Sequence, residues 1–280
     1  MPADLLPGPA LTAVGVAMIR ARETERTDRL YADPWAQAFV DAASLSYQSA
    51  SADDRQIWER VRQLADVMYD SRTVGVRVVD DTLLDAVNDG CSQIVQLGAG
   101  LDTHAFRLDW PQPVELFEVD LPETVGFKEE VLAGVRPHRN CTRHVVSIDL
   151  AENWSQELLA AGFDPAVPTC WIDHVAVSLP RRQAHRIAQT VTELSCPGSR
   201  YSFPVMTADA ITRTAGTVPG AKELYRGPAP HDGEHGFGSD GQGMLEGLGW
   251  TVVVQDFGEI ATGYGRAAAG QGGGNAIASR

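Results

Sequence analysis

Apolar residues recur at three- and four-residue spacing from about Ala13 to Gly90, as in AMIRARETERTDRLYADPWAQAFVDAA and RQIWERVRQLADVMYDSRTVGVRVVDDTLLDAV. That period lines one face of a helix, so a helical cap is expected over residues 1–90. Pro34 after Asp33 fits the first turn of a new helix, where proline's missing N–H costs nothing. From Ser92 the texture changes. Short β-rich runs appear at QIVQL (93–97), VELFEV (114–119), RHVVSI (143–148), TCWI (169–172), RYSFPV (200–205) and WTVVVQDF (250–257). Helical stretches such as PETVGFKEEVLAGV and RRQAHRIAQTVTEL separate most of them. Strands alternating with helices predict an α/β domain over residues 91–266, with a mostly parallel sheet covered on both faces. Its ligands belong at the carboxyl ends of the strands. A Gly- and Pro-rich stretch predicts a lid over about 208–242, and GQGGGNAIASR makes 267–280 read as a flexible tail.

The first strand ends in Gly98-Ala99-Gly100 and a helix-like pattern follows. Such a turn lets bare backbone approach a ligand and opens onto helix amides that favour negative charge. A dinucleotide fingerprint needs a third glycine, but Thr103 stands there, and no Gly-Lys-Ser/Thr follows to make a phosphate loop. The second strand carries Glu118 and Asp120 at its carboxyl end, Asp120 lying 22 residues beyond Gly98. A carboxylate there can accept both hydroxyls of a ribose diol and would repel a ribose phosphate, which disfavours an NADP-type ligand. After the third strand, Asp149 can accept from an adenine amine with Leu150 against the ring. Together these three strand ends make a pocket for an adenosine without a pyrophosphate, and S-adenosylmethionine fits it.

The net charge of −14 and the absence of a basic run argue against a nucleic-acid binder and against binding to anionic membranes. Four cysteines stand far apart without a Cys-x-x-Cys pair, as expected for thiols in a reducing compartment. No signal peptide pattern opens the chain and no apolar run reaches bilayer length, so a cytoplasmic protein is expected. The HDGEH run offers His231, Asp232, Glu234 and His235 as metal ligands, yet it lies among glycines and prolines, so a solvated loop is preferred and no metal is expected. His231 and His235 remain candidates for touching a substrate when a lid closes.

LGAGLDTHAFRL, FEVDLPETVGFKEE, SIDLAENW and LSCPGSRYSF resemble the leucine carboxyl methyltransferase-like family, including its bacterial branch that methylates carboxyl or hydroxyl groups of polyketide-type metabolites. The resemblance begins upstream, at RARETERTDRLYADPWAQAFV and SRTVGVRVVDD, and continues to YGR at 264–266. It implies a Rossmann-like class I methyltransferase fold with a seven-stranded sheet, and a small-molecule acceptor. It also implies that Arg72 pairs with the methionine carboxylate of S-adenosylmethionine and that Arg77 is a second arginine of that stretch. Gly98 and Gly100 then lie under the methionine portion, Asp120 on the ribose, Asp149 and Leu150 on the adenine, and Arg22 near the cofactor. In the family a glutamate ends the fourth strand near the methionine end. Here CWIDHVAVSLP places His174 at that position and Asp173 just before it. The usual partner for the cofactor's ammonium is then either lost or supplied by Asp173, and His174 is the candidate catalytic base. Two rival readings keep the fold: a non-methylating step such as cyclisation or rearrangement, which would form product without consuming methyl donor, and a non-catalytic binding protein.

Overall fold

The computed structural model describes residues 6, 8–48, 51–206, 236–237, 241–267 and 273–280. The cap consists of α1 (Gly8–Thr24), α2 (Ala36–Gln48) and α3 (Ala52–Asn88). The first apolar stretch does not run on as one helix. The Thr24 hydroxyl accepts the Asp33 N–H at 2.8 Å, and the Asp33 carboxylate accepts the Trp35 N–H at 3.1 Å. These side-chain bonds replace helical ones across residues 25–35 and restart the helix just after Pro34. α3 starts at a reciprocal cap. Ser51 Oγ accepts the Asp54 N–H at 3.2 Å, and the Asp54 carboxylate accepts the Ser51 N–H at 3.1 Å.

Seven strands follow: β1 (Gln93–Leu97), β2 (Val114–Asp120), β3 (Cys141–Ser147), β4 (Thr169–Asp173), β5 (Arg200–Met206), β6 (Thr251–Asp256) and β7 (Gly273–Ser279). They form one sheet in the order β3-β2-β1-β4-β5-β7-β6. β1 to β5 pair in parallel, whereas β7 is antiparallel to both β5 and β6. The helices between strands are α4 (His104–Arg107), α5 (Pro122–Val131), α6 (Trp154–Ala160), α7 (Arg181–Glu193), α8 (Gly241–Gly247) and α9 (Phe257–Gly263). One apolar core, with Val14, Phe39, Leu83, Ile94 and Leu116, joins the cap to one face of the sheet. The other core holds Val95, Phe117, Trp154, Trp171 and Tyr201. Because chain order reverses at β1, connections leave it on opposite sides and open a crevice at the carboxyl ends of β1 and β4.

The flexible-tail expectation fails for residues 273–280. Ala276 and Ala278 are fully buried, and β7 fills the gap between β5 and β6. Glycine here reflects space rather than mobility, since a Cβ on Gly274 would sit 2.0 Å from the Gln255 carbonyl oxygen. Most of the expected lid, with His231 and His235, lies outside the described residues. Where the chain is described again, the Gly236 N–H donates to the Leu179 carbonyl at 2.9 Å and the Phe237 ring packs edge-on against Phe203. Among the described residues no helix is long and apolar enough to cross a membrane.

Gly274→Ala forces backbone apart at the β6–β7 seam, and overpacking of this kind costs roughly 1–3 kcal/mol. Urea denaturation should show that loss; a midpoint equal to wild type would mean that the seam is loose.

Candidate active site

The crevice is lined by three strand ends whose sequences differ in what they contribute. After β1, Gly98 and Gly100 adopt φ of +72° and +52°, a region that side chains disfavour. Both Gly98 and Ala99 donate their N–H to the Val119 carbonyl, at 2.9 and 3.2 Å, which folds the turn back over the end of β2. A Cβ on Gly98 would lie 2.1 Å from Val175 Cγ1, so the loop after β4 closes against this bare backbone. Asp120 fastens the turn from below. Its Oδ2 accepts the Gly100 N–H at 2.6 Å and its Oδ1 the Leu121 N–H at 2.7 Å. Burial raises the Asp120 pKa, partly offset by those two amides. Each oxygen keeps a further lone pair, so the carboxylate can still receive a diol. Neighbouring Glu118 is committed elsewhere, to Lys128 at 2.8 Å and Arg143 at 2.7 Å.

Beyond β3, Asp149 is exposed, with Oδ1 accepting the Ala151 N–H at 2.8 Å, and Leu150 packs partly buried beside it. From the cap, half-buried Arg72 makes no hydrogen bond or ion pair among the described residues, while its charge reaches His174. An unspent guanidinium of this kind suits a planar carboxylate. Arg72, Gly98, Gly100, Asp120, Asp149 and Leu150 therefore fit an adenosyl amino acid: a glycine cradle, a buried carboxylate under it, and a free cation at one end.

Three sequence expectations are corrected. Arg77 is spent on structure: its guanidinium contacts Asp81 at 2.9 Å, donates to the Leu30 carbonyl at 2.8 Å and lies over the Tyr264 ring. Asp173 is fully buried and does not face the crevice. Being two residues from Trp171, it shares that residue's core face; its Oδ1 accepts the Val175 and Ala176 N–H groups and its Oδ2 the Tyr201 hydroxyl at 2.7 Å. It shapes the loop and has no free face for an ammonium. Arg22 is exposed and lies about 200° around α1 from Arg20, whose guanidinium reaches the Leu101 carbonyl beside the glycine turn.

His174 does stand at the crevice. Its backbone N–H donates to the Leu97 carbonyl at 3.0 Å, and its Nε2 is buried without a partner among the described residues. Burial, with help from the charges of His104, Arg72 and Arg20 against the opposing Asp102, pushes its pKa down to about 4. The imidazole is neutral at physiological pH.

The residues that sequence reasoning left unassigned are those of the LDTHAFR run. Asp102, Thr103, His104 and Arg107 turn inward and bolt the cap to the sheet. His104 Nε2 meets Asp80 at 2.8 Å and its Nδ1 meets Asp102; Arg107 grips the same Asp80 at 2.5 and 2.7 Å. Thr103 donates to Asp33 at 2.8 Å, and Asp33 pairs with Arg20 at 3.3 Å. Burial opposes charge on His104, but Asp102 and Asp80 outweigh it and raise its pKa, while His104 helps hold Asp102 well below the usual carboxylate range despite burial. The signal was present: four polar residues within six positions, beside an apolar strand, point to a buried polar cluster.

Known proteins match this geometry. The family model for leucine carboxyl methyltransferase matches residues 13–192. The chain belongs to the leucine carboxyl methyltransferase family. It is a methyltransferase, and S-adenosylmethionine is its methyl donor. A Streptomyces coelicolor protein assigned by name to the S-adenosyl-L-methionine-dependent methyltransferases is 40% identical over 258 residues, covering 91% of this chain and 87% of that one. A Streptomyces avermitilis protein with the same assignment is 38% identical over 258 residues, with the same two coverages. Among solved structures, a DUF574 family protein from Streptomyces avermitilis shares the fold at a TM-score of 0.56 and 17% identity, over 94% of this chain and 96% of that one.

His174 supplies a pH test. An unfolded histidine titrates near 6.5, whereas His174 stays neutral in the fold down to about 4. The unfolded chain thus binds the proton first, so the contribution of His174 is intact above about 6.5 and is lost as pH falls toward 4. His104, raised by its partners, works oppositely: its contribution is present below about 6.5 and fades as pH climbs through the folded value. His174→Gln should lessen the acid-side loss by up to about 1.4 kcal/mol per pH unit. Urea melts of both proteins at neutral and mildly acid pH measure it, and an identical loss in both would mean that His174 titrates normally.

Proposed function

We propose that this methyltransferase transfers its methyl group to an oxygen of a small molecule, and that the oxygen belongs to a carboxylate. The neutral imidazole of His174 carries the choice. A carboxylate is ionised at neutral pH and needs no base. Moving a proton from a phenol of pKa about 10 to an imidazole of pKa about 4 would cost roughly 8 kcal/mol, so His174 is a poor base for a hydroxyl. When bound, the donor supplies an electrophilic methyl on a sulfonium. The chain's share of the work is positioning and exclusion of water, which can contribute about 7–11 kcal/mol. Arg72 holds the donor's carboxylate, the Gly98–Gly100 backbone underlies its methionine portion, Asp120 takes the ribose and Asp149 with Leu150 the adenine. Val175 and His174 wall the crevice beside the reacting groups.

A hydroxyl acceptor stays as the second reading because Nε2 of His174 has a lone pair or proton to offer and no partner among the described residues. His174→Ala separates the two. Turnover of a carboxylate acceptor should persist within a few-fold, whereas loss of a general base would cost 10²–10⁴-fold on a hydroxyl, roughly, and such a loss would reverse the choice.

Asp120→Ala removes a charged acceptor of two ribose hydrogen bonds, each worth about 1.5–3 kcal/mol. Titration calorimetry with S-adenosylhomocysteine should show at least ~100-fold weaker binding. Undiminished affinity would remove Asp120 from the cofactor site.

A further inference from the structure

A second concavity lies in the cap, on the side of α1 turned away from the glycine turn. It is a cavity of about 470 Å³ between α1, α2 and α3, a size suited to a small organic molecule. Its lining is mixed: Met18, Ile19, Val40, Trp58 and Ala65 supply apolar wall, Arg22 and Tyr69 line it beside them, and Gln37, Ser44, Arg62, Glu25 and Asp66 supply polar and charged groups. Four features make this a prepared site. The Arg22 guanidinium lies over the Tyr69 ring, its centre 3.9 Å from the ring centroid. Tyr69 is itself fixed, because its hydroxyl donates to the buried Glu23 carboxylate at 2.5 Å. Arg22 uses one nitrogen, on exposed Asp66 at 3.3 Å, and its other two nitrogens have no partner among the described residues. Trp58, on the same helix as Tyr69, is held by stacking on Tyr47, with ring centroids 5.5 Å apart.

We infer that this cavity binds an organic acid with an apolar, aromatic-sized body, the carboxylate lying in the plane of the Arg22 guanidinium. A guanidinium with two unspent nitrogens over an aromatic ring matches a carboxylate, and the apolar part of the lining, Met18, Ile19, Val40 and Trp58, offers contact to an aromatic body. Trp58, Arg62, Ala65, Tyr69 and Arg72 recur along α3 at helical spacing and share one face, so the free guanidinium assigned to the methyl donor stands one turn beyond Tyr69. Calling the bound acid the acceptor rests on the carboxylate reading above; that the cavity binds such an acid does not.

The test is calorimetry with 2-naphthoate and its neutral isostere 2-naphthamide, without cofactor, on wild type, Arg22→Gln and Ala65→Leu. Wild type should prefer naphthoate by about tenfold, the value of one charge-assisted contact near the surface. Arg22→Gln should erase that preference, and Ala65→Leu, which fills the cavity, should weaken both probes about tenfold or more. S-adenosylhomocysteine should bind all three proteins alike and should leave naphthoate binding in place. Absence of naphthoate binding, an undiminished preference in Arg22→Gln, or competition between naphthoate and S-adenosylhomocysteine would each overturn the proposal, the last by making the cavity part of the donor site. Arg22→Gln alters an exposed residue and decides the matter if Ala65→Leu does not fold. Failure of wild type to bind S-adenosylhomocysteine would instead strike the donor-site assignment and leave the naphthoate result readable.

Discussion

A buried set of charges holds the helical cap on the sheet. Arg20 and Asp33 come from α1 and the loop after it, Asp80 from α3, and Asp102, His104 and Arg107 from the segment after β1. Moving any one of these ions out of water costs several kcal/mol, and only the assembled set returns that cost. The consequence is geometric more than energetic. Removing one partner strands another, so the cap has a single register on the sheet, and α3, which carries Arg72, is fixed with it. Apolar packing through Val14, Phe39 and Leu83 adds area but would tolerate sliding. Two of its buried guanidinium nitrogens, Nε of Arg20 and Nε of Arg107, have no partner among the described residues, which marks this as a cluster built for position.

Much of the fold was legible because it rests on periodicity. Residues 93–97 form β1 as read, and the other early strands move by no more than two residues at an end, since an apolar run between helices has few alternatives. What escaped was governed by contacts that periodicity does not carry. Helix formation across residues 25–35 gave way to the side-chain bonds of Thr24 and Asp33. Residues 273–279 were hidden by their glycines, whose composition signals flexibility wherever the backbone on the other side of the seam is unknown.

The crevice was legible to the extent that backbone geometry dictated it. Gly98, Gly100 and Asp120 are tied to one another directly, so their spacing carries their association. Asp173 and His174 show the limit. They are adjacent in sequence, yet the strand turns one inward to Tyr201 and leaves the other at the crevice, and only the strand's alternation decides which. Arginines resist sequence reading further, because a long side chain can reach several partners. Arg72, Arg77 and Arg22 are all on cap helices, and they end respectively unspent, braced against Asp81, and stacked on Tyr69.

β7 follows β6 in the chain but lies between β5 and β6 in the sheet. All of the sheet bonds of β6 therefore run through β7, and β7 alone covers the edge of β5. Without β7 the five parallel strands would present an unpaired edge, a template for wrong partners, so β7 serves both to dock β6 and to close the sheet.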